Sequence, residues 1–240
     1  MARRWIRDVM ITNSIHILST KVLDEAIINQ AASENIVIDC AAFIQIKPIE
    51  TPGLKEKIEK AVEQNPYAIF TSANAVDAVV KQKVQDLQLK IFCISGKTRK
   101  AVELNFPEST IVGDASYGAE LVQKILNENI DSAVFFCGDR RLDTVPQALL
   151  VNSIRIEEII VYETILTPQR IEKKHDGVMF FSPSAVESFL AKNRLKKTLP
   201  VFSFAGATHT KLKDISDTII ISKTSSEQGM FDTVKNYFYP

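Results

Sequence analysis

The chain has 240 residues, which fits one large domain or two of roughly 110–120 residues each. At 45% hydrophobic and 24% charged residues it has the composition of a core-forming globular protein, with no sign of disorder. Lys+Arg and Asp+Glu both number 29, so no net field draws a nucleic acid or an anionic membrane, and a basic-groove polymer binder is excluded.

In chain order, the opening Met1-Ala-Arg-Arg-Trp-Ile-Arg-Asp-Val-Met10 runs into Asn13, Ser14 and His16 instead of a clean apolar stretch, which argues against a signal peptide. Strand-like apolar runs follow at Ile15–Ser19, Ile36–Cys40, Ala68–Phe70, Lys90–Ile94, Ala133–Phe136, Gly177–Phe181, Pro200–Phe204 and Asp217–Ser222. Helical patterns lie between them. In Leu54–Gln64 the residues Leu54, Ile58, Ala61 and Val62 share one face, and after Tyr117 the residues Leu121, Val122, Ile125 and Leu126 form a stripe. Strand and helix alternating at this pitch predict parallel sheets with helices on both faces. No apolar run approaches about 18 residues, so no membrane span is expected and the default location is cytoplasmic.

The pattern repeats internally. Ala68-Ile-Phe-Thr-Ser-Ala-Asn-Ala-Val76 aligns with Val178-Met-Phe-Phe-Ser-Pro-Ser-Ala-Val186 at an offset of 110, and Cys93-Ile-Ser-Gly-Lys-Thr98 aligns with Ser203-Phe-Ala-Gly-Ala-Thr208 at the same offset. A weaker match sets Ile17–Thr20 against Phe135–Gly138, and Ile36–Ile38 against Ile154–Ile156, at an offset of 118. Two further strand-like segments, Ala42–Ile49 and Glu158–Ile165, stand outside the repeats, each followed by proline (Pro52, Pro168). The reading is an α/β protein of two lobes joined by a two-stranded antiparallel connector. Lobe one is discontinuous, 1–40 plus 170–240; lobe two is 49–158; 41–48 and 159–169 are the connector strands.

Cys40, Cys93 and Cys137 make no C-x-x-C pair and sit in strand-like runs, which excludes a zinc module, argues against a disulfide scaffold and suggests buried free thiols. His16, His175 and His209 form no ligand pattern, so no metal site is expected. The phosphate-binding glycine motifs are missing. Ser95-Gly-Lys-Thr98 matches only the tail of one, which argues against dinucleotide and NTP binding. No G-x-S-x-G elbow is present either.

Ligands of open parallel sheets bind beyond the carboxyl ends of the strands, at helix N-termini. Those junctions here are rich in small polar residues: Thr71-Ser-Ala-Asn74, Ser95-Gly-Lys-Thr98, Ser116-Tyr-Gly118, Ser182-Pro-Ser184, Gly206-Ala-Thr208 and Thr224-Ser-Ser226. Free N–H groups there suit carboxylate or phosphate. Ordinary capping accounts for the same residues: Ser182 before Pro183 reads as N-cap and N1, and Ser184 to Glu187 or Ser225 to Gln228 as capping boxes.

The set Phe70-Thr-Ser with Ala75-Val76, Gly96-Lys-Thr98, Cys137-Gly-Asp-Arg-Arg141, Val161-Tyr-Glu-Thr164, Phe180-Phe-Ser-Pro-Ser-Ala-Val186 and Gly206-Ala-Thr208, in this order over most of the chain, resembles the uroporphyrinogen-III synthases. That resemblance implies two flavodoxin-like (Rossmann-like) lobes joined by a two-stranded ladder. It also implies a cofactor-free lyase of tetrapyrrole biosynthesis that closes hydroxymethylbilane with loss of water and inverts ring D through a spiro intermediate. The partner it implies is the linear tetrapyrrole, with transient contact to hydroxymethylbilane synthase; the enzyme is expected to be a monomer, with no nucleic acid and no membrane.

Carried over residue by residue, Tyr162 matches the tyrosine that assists loss of the hydroxyl, and its place on the returning connector predicts a solvent-facing phenol. Substrate carboxylates are expected at Thr71, Ser72, Asn74, Gly96, Lys97, Thr98, Ser116, Gly118, Arg140, Ser182, Ser184, Gly206, Ala207 and Thr208. The chain departs from the family pattern at Ser95 and Ala205, where a glycine is usual three places before the threonine; here glycine falls at 96 and 206. The competing reading is a non-catalytic two-lobed binding protein that closes on a small polycarboxylate or other anion.

Overall fold

The structure, a computed structural model, describes residues 14–84 and 87–240; the N-terminal stretch read for a signal peptide lies outside the described residues. The chain falls into two units. One takes the chain as far as Ala42 and again from Gln169 to Pro240, and the other is the continuous stretch Phe43–Pro168.

In the first unit β1 (Ile15–Ser19), α1 (Glu25–Ser33) and β2 (Ile36–Cys40) come from the early segment. Those of the second unit follow: β3 (Ile44–Pro48), α2 (Leu54–Gln64), β4 (Tyr67–Phe70), α3 (Ala73–Lys81), β5 (Lys90–Ile94), α4 (Lys97–Asn105), β6 (Thr110–Ala115), α5 (Gly118–Asn127), β7 (Ser132–Gly138), α6 (Thr144–Val151) and β8 (Arg155–Leu166). The chain then returns to the first unit with β9 (Gly177–Phe180), α7 (Pro183–Leu190), β10 (Val201–Ser203), α8 (Ala207–Leu212), β11 (Ile219–Ile221) and α9 (Glu227–Phe238).

The first unit is a parallel sheet of order β2-β1-β9-β10-β11. Counted along its own chain this is 2-1-3-4-5, the flavodoxin-like order. Strand alternation sorts its side chains onto two faces. Ile17, Ile36, Ile38, Met179 and Phe202 meet Ile27 and Ala31 of α1 and Met230, Phe231 and Val234 of α9. On the opposite face Phe180 meets Phe189 of α7 edge-on, with ring centroids 5.4 Å apart.

The second unit has the order β3-β8-β7-β4-β5-β6. All its pairings are parallel except β3 with the end of β8, where Ile44 faces Leu166 and Pro48 faces Tyr162. Without β3, its own chain order reads 5-4-1-2-3, the Rossmann order seen from the other edge. β7 is buried along Ala133–Gly138 because helices cover both faces. Phe136 stacks on Phe70 at 5.1 Å on one face. Phe135 joins Ile69, Leu121, Ile125 and Leu149 on the other. Each such phenylalanine contributes about 1.5–3 kcal/mol of burial.

The two internal repeats become spatial here. An offset of 110 superposes β4 and β5 on β9 and β10, and 118 superposes β7 and the start of β8 on β1 and β2. The orders β6-β5-β4-β7-β8 and β11-β10-β9-β1-β2 therefore correspond strand for strand. The units are one sheet plan entered by the chain at different strands, which is why no single offset aligns them.

Two features depart from the sequence expectation. β6 was not foreseen, because Gly113 and Asp114 interrupt its apolar pattern. Gly113 is required by packing: a Cβ there would stand 3.0 Å from the Phe92 ring, beside a register shift between Ile91 and Phe92. The segments 42–49 and 158–165 do pair antiparallel over part of their length, but both lie within the six-stranded sheet; the first half of β8 continues it beside β7.

The described cysteines are free; Cys93 and Cys137 are buried and Cys40 half-buried. Burial, reinforced by Asp114 and Glu158 respectively, pushes the Cys93 and Cys137 thiols up to about 11. A chromogenic disulfide reagent at pH 8 should therefore label Cys40 first in native protein and reach Cys93 and Cys137 only on denaturation.

Candidate active site

Strand order reverses between β4 and β7 in the second unit, and carboxyl ends flanking such a reversal are where open sheets bind ligands. β4 ends at Phe70 and runs through Thr71 into Ser72, the N-cap of α3, whose hydroxyl accepts the Asn74 N–H at 3.2 Å. α3 is held down by Ala75, Val76, Ala78 and Val79, all buried, so the position of Ser72 is set by the core. On the other side of the reversal β7 ends at Gly138, opposite Tyr162 on β8, just after a register shift at Cys137/Gly138.

That shift and the glycine place the tyrosine. A Cβ on residue 138 would stand 2.4 Å from both Cε2 and Cζ of the Tyr162 ring and 2.8 Å from its hydroxyl. The ring thus lies flat over bare backbone. The backbone around it is pinned: Asp139 N–H donates to the Tyr162 carbonyl at 3.1 Å, and Asp139 Oδ1 accepts the Thr164 N–H at 2.8 Å. Pro48, opposite Tyr162 on the other side, lacks an N–H, and Ile49 N–H bonds to the Val161 carbonyl at 2.9 Å.

Tyr162 corrects the expectation of a solvent-facing phenol. It is half-buried and packs on the cluster that contains Phe70, Val76, Phe136 and Val161. Burial raises its phenol above the ordinary value of 10, while hydrogen bonds from Ser72 and Asn74 oppose the shift. The phenol is therefore neutral at physiological pH, with the Ser72 and Asn74 side chains beside it. Of the residues singled out in the sequence, Ser72, Asn74 and Tyr162 are the three that the structure brings into contact.

The next strand end carries Gly96-Lys97-Thr98. Gly96 caps α4 with φ 78° and ψ −125°, in the left-handed region, and no side chain occupies that helix start. Ser95, where the family pattern has glycine, bonds through its hydroxyl to Asp114 at 2.7 Å, and Arg99 holds the other oxygen of the same carboxylate at 2.7 Å. The loop is fastened to β6 and the turn moves one residue on. Gly206 repeats this in the first unit at φ 76° and ψ −133°, so the one-residue displacement of the glycine is the same in both halves. Thr98 and Thr208 are buried, at 5% and 4% exposed.

The remaining positions are dispersed. Ser116 N–H is taken by the Glu120 carboxylate at 3.0 Å, and Gly118 begins α5. Lys97 and Arg140 are exposed; Arg141, next to Arg140, is tied to Glu158 and Asp143. In the first unit Ser182 caps α7 by accepting Ala185 N–H at 3.2 Å, with Pro183 following as expected. Capping falls to Ser182 and Ser226, not to Ser184 and Ser225; the Ser226 hydroxyl accepts the Gly229 N–H at 3.0 Å. Ser184 is half-buried, and Ala207 opens α8.

Sequence reasoning missed three contributors. Gly138 and Asp139 were in the Cys137–Arg141 motif without a role; a glycine ending a buried strand was the available signal. In the first unit, at the reversal between β1 and β9, Lys21 pairs with the buried Glu227 at 2.7 Å and lies 5.5 Å over the Phe181 ring. Nothing in the sequence joins residues 206 apart. Among the described residues no group of three or more His, Cys, Asp or Glu is arranged to hold a metal, and no helix is long and apolar enough to cross a membrane.

Against known proteins, the chain matches the family described as Uroporphyrinogen-III synthase HemD over residues 27–232. A search of curated proteins finds no match. Among solved structures it is similar to a mutant uroporphyrinogen III synthase from the extremely thermophilic bacterium Thermus thermophilus, at 11% identity, 93% of this chain and 97% of that chain covered, TM-score 0.68. It is also similar to the uroporphyrinogen-III synthetase from Helicobacter pylori, at 15% identity, 93% and 99% covered, TM-score 0.63. At such identities the structural likeness speaks to the fold.

A Gly138→Ala substitution should cost about 1–3 kcal/mol in denaturant unfolding, because the Tyr162 ring must leave its seat. The native phenol should ionise above an exposed tyrosine in an absorbance titration. Above pH 10 the unfolded chain would lose that proton first, so the contribution of Tyr162 to stability should fall with rising pH, and Tyr162→Phe should remove that part of the alkaline loss.

Proposed function

The chain belongs to the uroporphyrinogen-III synthase family, lyases that cyclise hydroxymethylbilane with loss of water and inversion of ring D, and from that premise we infer how its own residues carry the reaction. The observation that supports the reading best is Tyr162, a neutral phenol beside Ser72 and Asn74 and over Gly138.

The Tyr162 O–H donates to the hydroxyl of the substrate's terminal hydroxymethyl group as its C–O bond breaks. Water leaves, and the positive charge remains on the azafulvene. Ring D attacks that carbon through its own substituted position to give the spiro intermediate, which fragments and recloses to the inverted isomer, and the proton that ring D loses on reclosure restores the phenol. In this reading the Ser72 and Asn74 side chains beside the phenol ease negative charge on its oxygen and so favour transfer of its proton to the substrate. The donor strengthens its bond as charge develops, which is where a hydrogen bond lowers a barrier. No electrons are gained or lost overall, so the reaction requires no redox cofactor, and we propose a cofactor-free enzyme.

The larger task is holding a flexible octacarboxylate in one geometry. At α4 the first N–H groups carry no side-chain cap, so Gly96, Lys97 and Thr98 can receive a carboxylate. Gly206, Ala207 and Thr208 have the same backbone turn in the first unit. Thr71, Ser116, Gly118, Arg140, Ser182 and Ser184 complete the proposed substrate contacts. In this reading residues 41–48 and 159–169 act as connectors between lobe one (1–40 plus 170–240) and lobe two (49–158), and the enzyme is a cytoplasmic monomer that receives its labile substrate from hydroxymethylbilane synthase in transient contact.

Purified protein given fresh hydroxymethylbilane should yield the type III isomer, with and without a chelator; the type I isomer alone would return the chain to the role of an anion-binding protein. Tyr162→Phe should lower turnover about 10- to 100-fold, the low end of general acid assistance, since water also leaves this substrate unaided. It should leave the fold intact, since only one oxygen is removed. Thr98→Ala and Thr208→Ala should each cost less turnover. If either exceeds Tyr162→Phe, positioning alone carries the catalysis.

A further inference from the structure

The first unit holds a cavity of about 370 Å³ that shares no residue with the strand-end loops above. Its floor is apolar: Leu18 of β1, Val178 of β9 and Phe189 of α7. Four cations stand around it, Arg170 and Lys173 from the irregular segment 167–176, Lys192 just after α7, and Arg194 from the next loop. No Asp or Glu lines it.

The absence of a counter-charge is specific to Arg170, Lys192 and Arg194. Lys173, also at the cavity, is held by Asp39 at 2.6 Å, and His175 reaches the same carboxylate at 2.9 Å with its side chain 5% exposed. The side chains of Arg170, Lys192 and Arg194 have no ion-pair or hydrogen-bond partner among the described residues. Like charges gathered around a low-dielectric floor raise the local potential and attract an anion.

The cavity is also built. The Asn193 side-chain amide donates to the carbonyls of Gln169 at 2.7 Å and Phe189 at 2.9 Å, and its oxygen accepts the Ile171 N–H at 2.8 Å. One side chain thus clamps the segment carrying Arg170 against the end of α7, from which Lys192 and Arg194 follow. A comparison within the chain shows why space remains. In the second unit the face of β7 carrying Val134 and Phe136 shares its cluster with Leu54, Ile58 and Ala61 of α2. At the equivalent place in the first unit, 118 residues earlier, Leu18 meets irregular chain and the cavity.

We propose that this cavity binds a small organic carboxylate, its apolar body against Leu18, Val178 and Phe189 and its carboxylates at Arg170, Lys192 and Arg194. An inorganic anion would meet the cations but leave the floor wet, and a neutral ring would do the reverse. The volume lies in the range of small-molecule sites. This inference does not depend on the catalytic reading.

Phthalate, inorganic phosphate and benzamide serve as probes of an apolar dicarboxylate, a bare anion and an uncharged ring. In isotope-labelled full-length protein, phthalate should shift the Ile171 backbone amide and the Asn193 side-chain amide saturably. At the same concentration phosphate and benzamide should shift them little. The double variant Lys192→Glu/Arg194→Glu, with the rest of its spectrum unchanged, should bind phthalate about tenfold more weakly or worse, as expected for loss of charge-assisted contacts. Absence of a saturable phthalate shift, phosphate binding as well as phthalate, or undiminished binding by the charge-reversed variant would each overturn the proposal.

Discussion

Everything proposed for the catalytic site depends on one close approach, the Tyr162 ring lying over the bare backbone of Gly138. A β-bulge moves Tyr162 into register with the last residue of β7, and only a glycine there leaves room for the ring. Once seated, the phenol falls within reach of Ser72 and Asn74 at the start of α3. The side chain proposed to act in catalysis is thus located by three elements from different parts of the second unit, each fixed by its own core contacts.

Packing and electrostatics act on the phenol in opposite directions. Burial against Phe70 and Phe136 disfavours the charged form, and the neighbouring Ser72 and Asn74 side chains favour it. The balance leaves a neutral phenol at physiological pH, the form that the proposed proton donation uses. A more exposed tyrosine would also be neutral, but would lack a fixed direction. Orientation is what the half-buried setting adds.

Helix starts divide by whether a side chain already occupies them. At α3, α7 and α9 a serine hydroxyl accepts an N–H, and at α5 the Glu120 carboxylate takes one just before the helix. At α4 and α8 a glycine stands at the N-cap and supplies no capping side chain. A chain with no net charge can therefore bind a polyanion through backbone dipoles at selected points, without a basic surface to attract unrelated polyanions.

The sequence alone determined the alternation of strand and helix, the two repeat offsets, and the small polar residues at the strand ends. These are local matters: periodicity sets the element and hydroxyl or glycine chemistry sets the turn. Ser72 and Ser182 could be read as caps, and the family motifs were legible in order. The tertiary structure decided what depends on contact between distant residues. It made β6 a strand despite Gly113 and Asp114, because Phe92 packs over that glycine. It placed the last part of β8 beside β3 while the first continues the sheet beside β7. It turned Tyr162 from an expected solvent-facing side chain into one packed on Gly138, 24 residues away. It also paired Lys21 with Glu227 and gathered Arg170, Lys192 and Arg194 around one apolar cavity. Linear spacing carries no information on such encounters, since the fold brings together residues whose separation along the chain follows no fixed period.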